Sequence, residues 1–234
     1  MKRLIGLDLD GTITQHRCPL DAEHRLLLDY LGSRYKIIVV AAGNAPRVYE
    51  QLERYPIDII ANYGMQESRM TDGRFTVIRD DRQLPNRAFF LEKTGYLRRK
   101  YGYTEYAGEA LEFHASGMVT FPLLGTGAKL EDKLAFDPDR SKRHVMYPEV
   151  LEIFRDYSVF VGGSSSFDFT PLQYNKYEAM LRYGRENGYS MEDMLFIGDD
   201  FGPGGGDSHI RLGGMDYIQI DDWRTSAQKI KALL

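Results

Sequence analysis

Cys18 is the lone cysteine in 234 residues, so the chain has no means of making an intrachain disulfide. The disulfide framework of small secreted domains is thereby excluded, and a reducing, cytoplasmic setting is expected. The five histidines, His16, His24, His114, His144 and His209, show no metal-ligand spacing, which sets aside a zinc-finger type of site. Long hydrophobic runs are missing too. The apolar stretch of Met1 to Leu7 meets Asp8 and Asp10 before a signal-peptide core or membrane span could form, so a mature start and no membrane partner are expected. Neither sign of charge dominates, with 30 Lys and Arg against 34 Asp and Glu. Without a basic stripe the tyrosines do not argue for RNA, and no nucleic-acid partner is expected. There is no internal repeat and no low-complexity tract. The glycines of Gly202 to Gly206 lack the Gly-Lys-Ser/Thr of a P-loop and run into Asp207 instead.

What remains is a chain long enough to bury roughly 70 to 75% of the surface its unfolded form exposes. Leu4 to Leu7 reads as a short buried strand opening into Asp-Leu-Asp-Gly-Thr. Leucines at helical spacing follow over Asp21 to Tyr35, then the β-branched run Lys36 to Ala42, as in strands covered on both faces. Asn44 and the early proline predict a helix from Ala45 to about Arg54, and Ile57 to Ala61 a further strand. This alternation predicts an open parallel sheet with crossovers. From about Phe75 the texture changes to separated strands (Phe75–Ile78, Leu111–Phe113, Met118–Leu124, Tyr157–Phe160) and helices near Arg87–Tyr101 and Tyr147–Arg155. The parallel pattern returns with a helix over Tyr177–Asn187, a strand over Met194–Ile197, and a last strand and helix after Met215. The expected organisation is a doubly wound α/β core made of residues 1–81 and 173–234, interrupted by an α+β domain over 82–172.

Ligands of open parallel sheets sit beyond the carboxyl ends of the strands. Asp8 and Asp10 follow the first strand; Asp199 and Asp200 follow a late one, with Asp207 a glycine-rich loop further on. Carboxylates converging within about 4–6 Å repel one another unless a cation lies between them, and a hard ion such as Mg²⁺ takes oxygen ligands and phosphate together. An aspartate in that setting can attack a phosphoryl group and carry it as an aspartyl-phosphate. Asp8 is placed for that role. Lys176, at a predicted helix start, is the candidate for neutralising the phosphoryl oxygens. Taken singly, each acid reads more readily as a turn former or cap and the lysine as a solvated side chain; the joint pattern carries the reading.

Asp8-Leu-Asp-Gly-Thr12, Lys176 and Gly198-Asp199-Asp200 with Asp207 resemble the successive motifs of the haloacid-dehalogenase superfamily. Val39-Val40 through Val48-Tyr-Glu-Gln-Leu52, Ser116-Gly-Met118, Gly162-Gly163 through Ser166-Phe-Asp168, and Pro203-Gly-Gly-Gly-Asp207 resemble its phosphomannomutase-like branch, in order and over nearly the whole chain. That likeness implies a core with a C2-type cap that closes over the substrate. It also implies Asp8 as nucleophile and metal ligand, Asp10 as acid/base with its backbone carbonyl on Mg²⁺, Asp199 completing the metal site and Asp207 supporting it. Thr12 and Arg17 would lie beside the phosphate, and Ser166 and Asp168 would hold sugar hydroxyls. The related mutases pair through their caps, which leaves a cap-mediated homodimer open.

The pattern departs in two places. The superfamily sets a Ser or Thr hydroxyl on the transferring phosphate after the second strand, but here the stretch is Ala41-Ala42-Gly43-Asn44. The Gly43 and Asn44 amides, with the Asn44 carboxamide, are expected to cradle the anion instead. In the cap, Thr126 and Lys133 stand where the branch keeps arginines for the distant phosphate, while Arg140 and Arg143 remain, Arg143 as a candidate phosphate ligand. A mutase must grip a bisphosphate by its far end, which an arginine fork does better than lysine or threonine. The expectation is therefore a Mg²⁺-dependent phosphatase acting on a small phosphorylated sugar or polyol, with phosphomannomutase as the alternative and a silent sugar-phosphate binder as a third.

Overall fold

The computed structural model describes residues 2–234; Met1, at the head of the apolar start, lies outside them. A seven-stranded sheet has the order β11-β10-β1-β2-β3-β4-β5. Its parallel part is made of β1 (Leu4–Leu7), β2 (Lys36–Val40), β3 (Asp58–Ala61), β10 (Met194–Gly198) and β11 (Tyr217–Gln219). The residues of β1 alternate between two apolar layers. Ile5 and Leu7 pack with leucines of α1 (Ala22–Gly32), Val48 of α2 (Ala45–Gln51) and Ile230 of α8 (Trp223–Leu233). Leu4 joins Met180 and Tyr183 of α6 (Lys176–Asn187) and Ile210 of α7 (Ser208–Leu212) on the other face. Helices on both faces make this a doubly wound α/β layer structure. Full burial of Leu4, Ile5 and Leu7 stabilises it by about 1.5–3 kcal/mol per side chain.

β4 (Gln66–Thr71) and β5 (Arg74–Asp80) form an antiparallel hairpin that continues this sheet beyond β3. The expectation placed the Phe75 strand with the change of texture and gave β4 no strand. The reason is the composition of β4: buried Glu67 is compensated by charge, with Arg69 NH2 at 2.6 Å and Arg79 Nε at 3.6 Å, in place of apolar packing.

The chain folds into two compact units. One comprises Met1–Asp81, Tyr174–Gly202 and Asp207–Leu234; the other comprises Arg82–Gln173 with Pro203–Gly206. The second unit holds a separate antiparallel sheet, β6-β7-β9-β8, formed by β6 (Glu112–Phe113), β7 (Val119–Pro122), β8 (Tyr157–Phe160) and β9 (Ser166–Pro171). Val119, Phe121, Phe167 and Phe169 pack with Phe90 and Leu97 of α3 (Arg87–Tyr101) and Met146 and Val150 of α5 (Ser141–Ile153). The sequence predicts this last helix only from about Tyr147 to Arg155. The helix instead begins at Ser141, where Asp137 accepts the Lys142 and Arg143 backbone N–H groups, and it carries Pro148 inside. A short helix, α4 (Leu130–Phe136), and β9 were not predicted. Among the described residues no helix is long and apolar enough to cross a membrane.

Candidate active site

The strand order reverses at β1: the chain crosses from β1 to β2 on one side, and β10 lies on the other. Such a switch point opens a crevice at the strands' carboxyl ends. Asp8 is the first residue past β1, and its backbone N–H still donates to Ile197 O in β10 at 2.8 Å. The following turn is closed by the N–H groups of Thr12, Ile13 and Thr14, all directed at Leu9 O. Leu9 and Ile13 are fully buried and anchor it. Gly11 adopts φ +93°, and a Cβ there would come within 2.7 Å of an Asp199 carboxylate oxygen, so glycine is required by both backbone and space. Thr12 Oγ1 donates to Asp199 Oδ1 at 3.0 Å.

Asp8, Asp199 and Asp207 each offer a carboxylate oxygen, and these lie within 4.8 Å of one another. Lys176, the first residue of α6, donates from Nζ to Asp8 Oδ1 at 2.6 Å and to Asp207 Oδ1 at 2.7 Å. The helix start is fixed by Asn175, whose side chain accepts from Glu178 N. Asp207 is held in turn, with its Oδ2 accepting from Asp200 N and its own N–H donating to Asp200 O, which closes the glycine-rich loop.

One ammonium does not offset three converging carboxylates, of which Asp8 and Asp207 are buried and Asp199 is partly exposed. Burial pushes the Asp8 carboxyl well above the usual range against the opposing pull of Lys176, and Asp207 and Asp199 push it further. Asp199 rises to about 6, first from burial and then from Asp207 and Asp200. Burial alone would lower Lys176, but Asp207 and Asp8 outweigh it and hold the ammonium charged. Three oxygen donors with unrelieved negative charge fit a hard divalent cation.

Asp10 does not join this triplet through its side chain. Its Oδ1 accepts from the Arg17 backbone N–H at 2.7 Å and from Gln51 Nε2 at 2.7 Å. Arg47 NH2 stands 3.7 Å from its Oδ2. Gln51 and Arg47 were not singled out from the sequence. Their spacing, one helical turn apart behind the Asn44 cap, was the available signal, since it puts both on one side of α2. Arg17 has an exposed side chain and a left-handed backbone, φ 57°. Asn44 spends its carboxamide oxygen on capping α2, accepting from Arg47 N at 3.0 Å. Gly43 O accepts from Asn62 N.

In the second unit Thr120 Oγ1 donates to Asp168 Oδ1 at 2.8 Å and lies 3.0 Å from His114 Nε2, while Ser166 Oγ donates to Gly162 O. Arg143 departs from its expected role. Its guanidinium is fully buried and committed inside this unit, to Asp137 Oδ2 at 2.8 Å and to the carbonyls of Gly162, Gly163 and Ser166. What read as a basic turn offering arginines outward is an internal clamp, because Asp137, six residues earlier, supplies a buried counter-charge.

No family model matches the chain. Among curated proteins it is similar to a phosphomannomutase of Schizosaccharomyces pombe, 25% identical over an alignment of 249 positions, gaps included, that covers 98% of this chain and 94% of that protein. It is likewise similar to a phosphomannomutase of Saccharomyces cerevisiae, 26% identical and covering 98% of this chain and 89% of the other. Among solved structures it is similar to a haloacid dehalogenase-like hydrolase from B. subtilis, with a TM-score of 0.64, 14% identity, and 99% and 100% of the two chains covered. An IMP-nucleotidase of Plasmodium falciparum aligns with a TM-score of 0.68 and 13% identity over 99% of this chain and 68% of that one. At these identities the structural likeness speaks for the fold.

Proposed function

The chain belongs to the haloacid-dehalogenase superfamily, in its phosphomannomutase-like branch, and from that premise we propose that it is a Mg²⁺-dependent phosphatase of a small phosphorylated sugar or polyol. The observation that carries the reading is the carboxylate triplet Asp8, Asp199 and Asp207, with Lys176 bridging its two buried members, Asp8 and Asp207. In this reading an Asp8 carboxylate oxygen attacks phosphorus while the bond to the sugar oxygen breaks, and Asp10 gives its proton to that leaving oxygen. The aspartyl-phosphate is then hydrolysed: Asp10 takes a proton from the attacking water, the Asp8–phosphorus bond breaks, and inorganic phosphate leaves. Gln51 and the Arg17 amide hold Asp10 at one oxygen, which orients the carboxyl for both transfers. Lys176 fixes the rotation of Asp8 and sets a positive charge beside the transferring group. A magnesium ion held by Asp8, Asp199, Asp207 and the Asp10 backbone carbonyl would supply further positive charge to the phosphoryl oxygens. Ser166 and Asp168 are the proposed holders of the substrate's hydroxyls.

Hydrolysis is preferred over mutase turnover because of what the second unit does with three positions. Arg143 is buried in its clamp; Thr126 Oγ1 accepts from Glu109 N at 2.9 Å; and Lys133 Nζ donates to Thr126 O at 3.0 Å. Groups tied up in this way support no fork for a second phosphate. The mutase alternative is kept by the near full-length similarity to phosphomannomutases. Phosphorus NMR of the protein with Mg²⁺, mannose 1-phosphate and a trace of hexose 1,6-bisphosphate, beside a chelator control, separates the two. Inorganic phosphate formed only with Mg²⁺ is the expected result. A hexose 6-phosphate signal would replace the phosphatase reading with the mutase one.

A further inference from the structure

The stretch Ala41-Ala42-Gly43-Asn44 leaves the transferring phosphate without a side-chain hydroxyl, and the geometry around Gly43 indicates what stands in for it. A Cβ built on Gly43 would lie 1.9 Å from Arg47 NH2 and 2.5 Å from both Cζ and Nε. The Arg47 guanidinium is thus folded back into the volume that a side chain at position 43 would fill. Gly43 lies outside the left-handed region, so its backbone conformation does not demand glycine; what the missing side chain leaves is the space that the flexible end of Arg47 occupies.

The fork is held from one edge only. Arg47 NH1 donates to Gln51 Oε1 at 2.7 Å, and NH2 stands 3.7 Å from Asp10 Oδ2, beyond hydrogen-bonding distance. The Nε–H and NH2 donors have no hydrogen-bond acceptor among the described residues. The side chain is 37% exposed, and Asp10 lies two residues from Asp8. A guanidinium with one edge pinned to Gln51 and the other ion-paired at 3.7 Å with Asp10 but making no hydrogen bond is a preorganised receptor for a dianionic phosphoryl group. Because the charge is attached to the Gln51–Asp10 pair, it is positioned by the acid/base residue itself.

We propose that Arg47 grips the oxygens of the transferring phosphoryl group, replacing the missing hydroxyl, and that Gly43 is small in order to admit it. The proposal rests on the phosphoryl-transfer reading above and adds a ligand to that site. Binding of inorganic phosphate and of orthovanadate to the Mg²⁺-loaded protein, followed by isothermal titration calorimetry, tests it without requiring turnover. Four proteins are compared: wild type, Arg47→Ala, Gly43→Ser, and the double variant, each checked for native circular dichroism. Arg47 is at the surface of α2, so all four are expected to fold. Arg47→Ala should weaken both anions by about 10- to 100-fold, the range for a charge-assisted bond to an anion. A serine side chain at position 43 displaces the fork and brings its own hydroxyl, so the same Arg47→Ala change should cost much less in the Gly43→Ser background. Arg47→Lys should fall between wild type and Arg47→Ala. Equal affinity of wild type and Arg47→Ala would overturn the proposal while leaving the phosphatase reading standing. An equal loss in both backgrounds would also overturn it, since Arg47 would then act through Asp10 rather than in the space above Gly43. A wild-type protein that binds neither anion with Mg²⁺ present would overturn the phosphoryl-transfer reading and this inference together.

Discussion

At the scale of single residues, the site concentrates charge where charge is expensive. Asp8 is 7% exposed, and its carboxyl is pushed up by burial and by two neighbouring acids. A group kept so only for structure would be better replaced by its neutral isostere. Asp8→Asn should therefore leave the fold and thermal stability intact, or raise the metal-free stability slightly, while turnover falls by at least about a thousandfold because the proposed nucleophile is gone. Steady-state phosphate release with matched circular dichroism checks both halves; substantial residual activity would remove Asp8 from the nucleophile's place. The sequence made Asp8, Asp199, Asp207 and Lys176 legible because each follows a strand or opens a helix at the same end of a parallel sheet. Arg47 and Gln51 were not legible: an arginine and a glutamine on an amphipathic helix read as solvent-facing, and only folding shows that Asp10 lies within reach. Arg143 failed in the opposite sense, because the sequence does not show that Asp137 is buried with it.

At the scale of elements, functional side chains depend on how helices begin. Lys176 is the first residue of α6, directly after the Asn175 cap, so the cap sets the direction in which the ammonium leaves the helix. Asn175→Ala removes an acceptor for the Glu178 N–H and should cost about 1 kcal/mol of stability in chemical denaturation. Because Lys176 then leaves a frayed first turn, kcat should fall more than KM rises, since the proposed role of Lys176 is on the group being transferred. A change confined to stability would show that Lys176 is fixed by its two aspartates alone. The elements themselves were largely readable where strands are apolar on both faces, as with β1, β2 and β10. Of the hairpin of β4 and β5 only the β5 strand was readable, from Phe75–Ile78; β4 was not, although Asp72-Gly73, with φ 51° and 72°, is a strong two-residue turn signal. Apart from Met70, β4 is charged and polar around the buried Glu67, and hydrophobic periodicity carries no information there. In β9 the polar residues Ser166 and Asp168 masked a strand whose alternate residues, Phe167 and Phe169, are fully buried.

For the whole molecule, the proposed function makes the acidic cluster the link between metal binding, stability and pH. The raised carboxyls of Asp8 and Asp199 mean that the metal-free folded state binds protons more tightly than the unfolded chain. Ionising them in the fold is therefore destabilising: the penalty is absent below the unfolded pKa and grows as pH rises through that value to the folded one, about 6 for Asp199. A divalent cation bound to the ionised carboxylates relieves this penalty and must displace their protons to do so. Lys176 stays charged across the same range and does not alter the sign. His209, whose pKa is lowered by burial, pulls absolute stability in the opposite direction as pH falls. The informative quantity is thus the increment in Tm on adding a fixed excess of Mg²⁺, in which the His209 contribution cancels. That increment should be large at pH 7.5, shrink through pH 6 and be nearly lost at pH 5, following the ligand-binding stabilisation RT ln(1 + [Mg²⁺]/Kd) as protons raise the apparent Kd. It should also be nearly abolished at every pH by Asp199→Asn, which removes a ligand without touching His209. Differential scanning fluorimetry across that pH series measures it; an increment independent of pH, or one that survives Asp199→Asn unchanged, would place the cation elsewhere than on Asp8, Asp199 and Asp207.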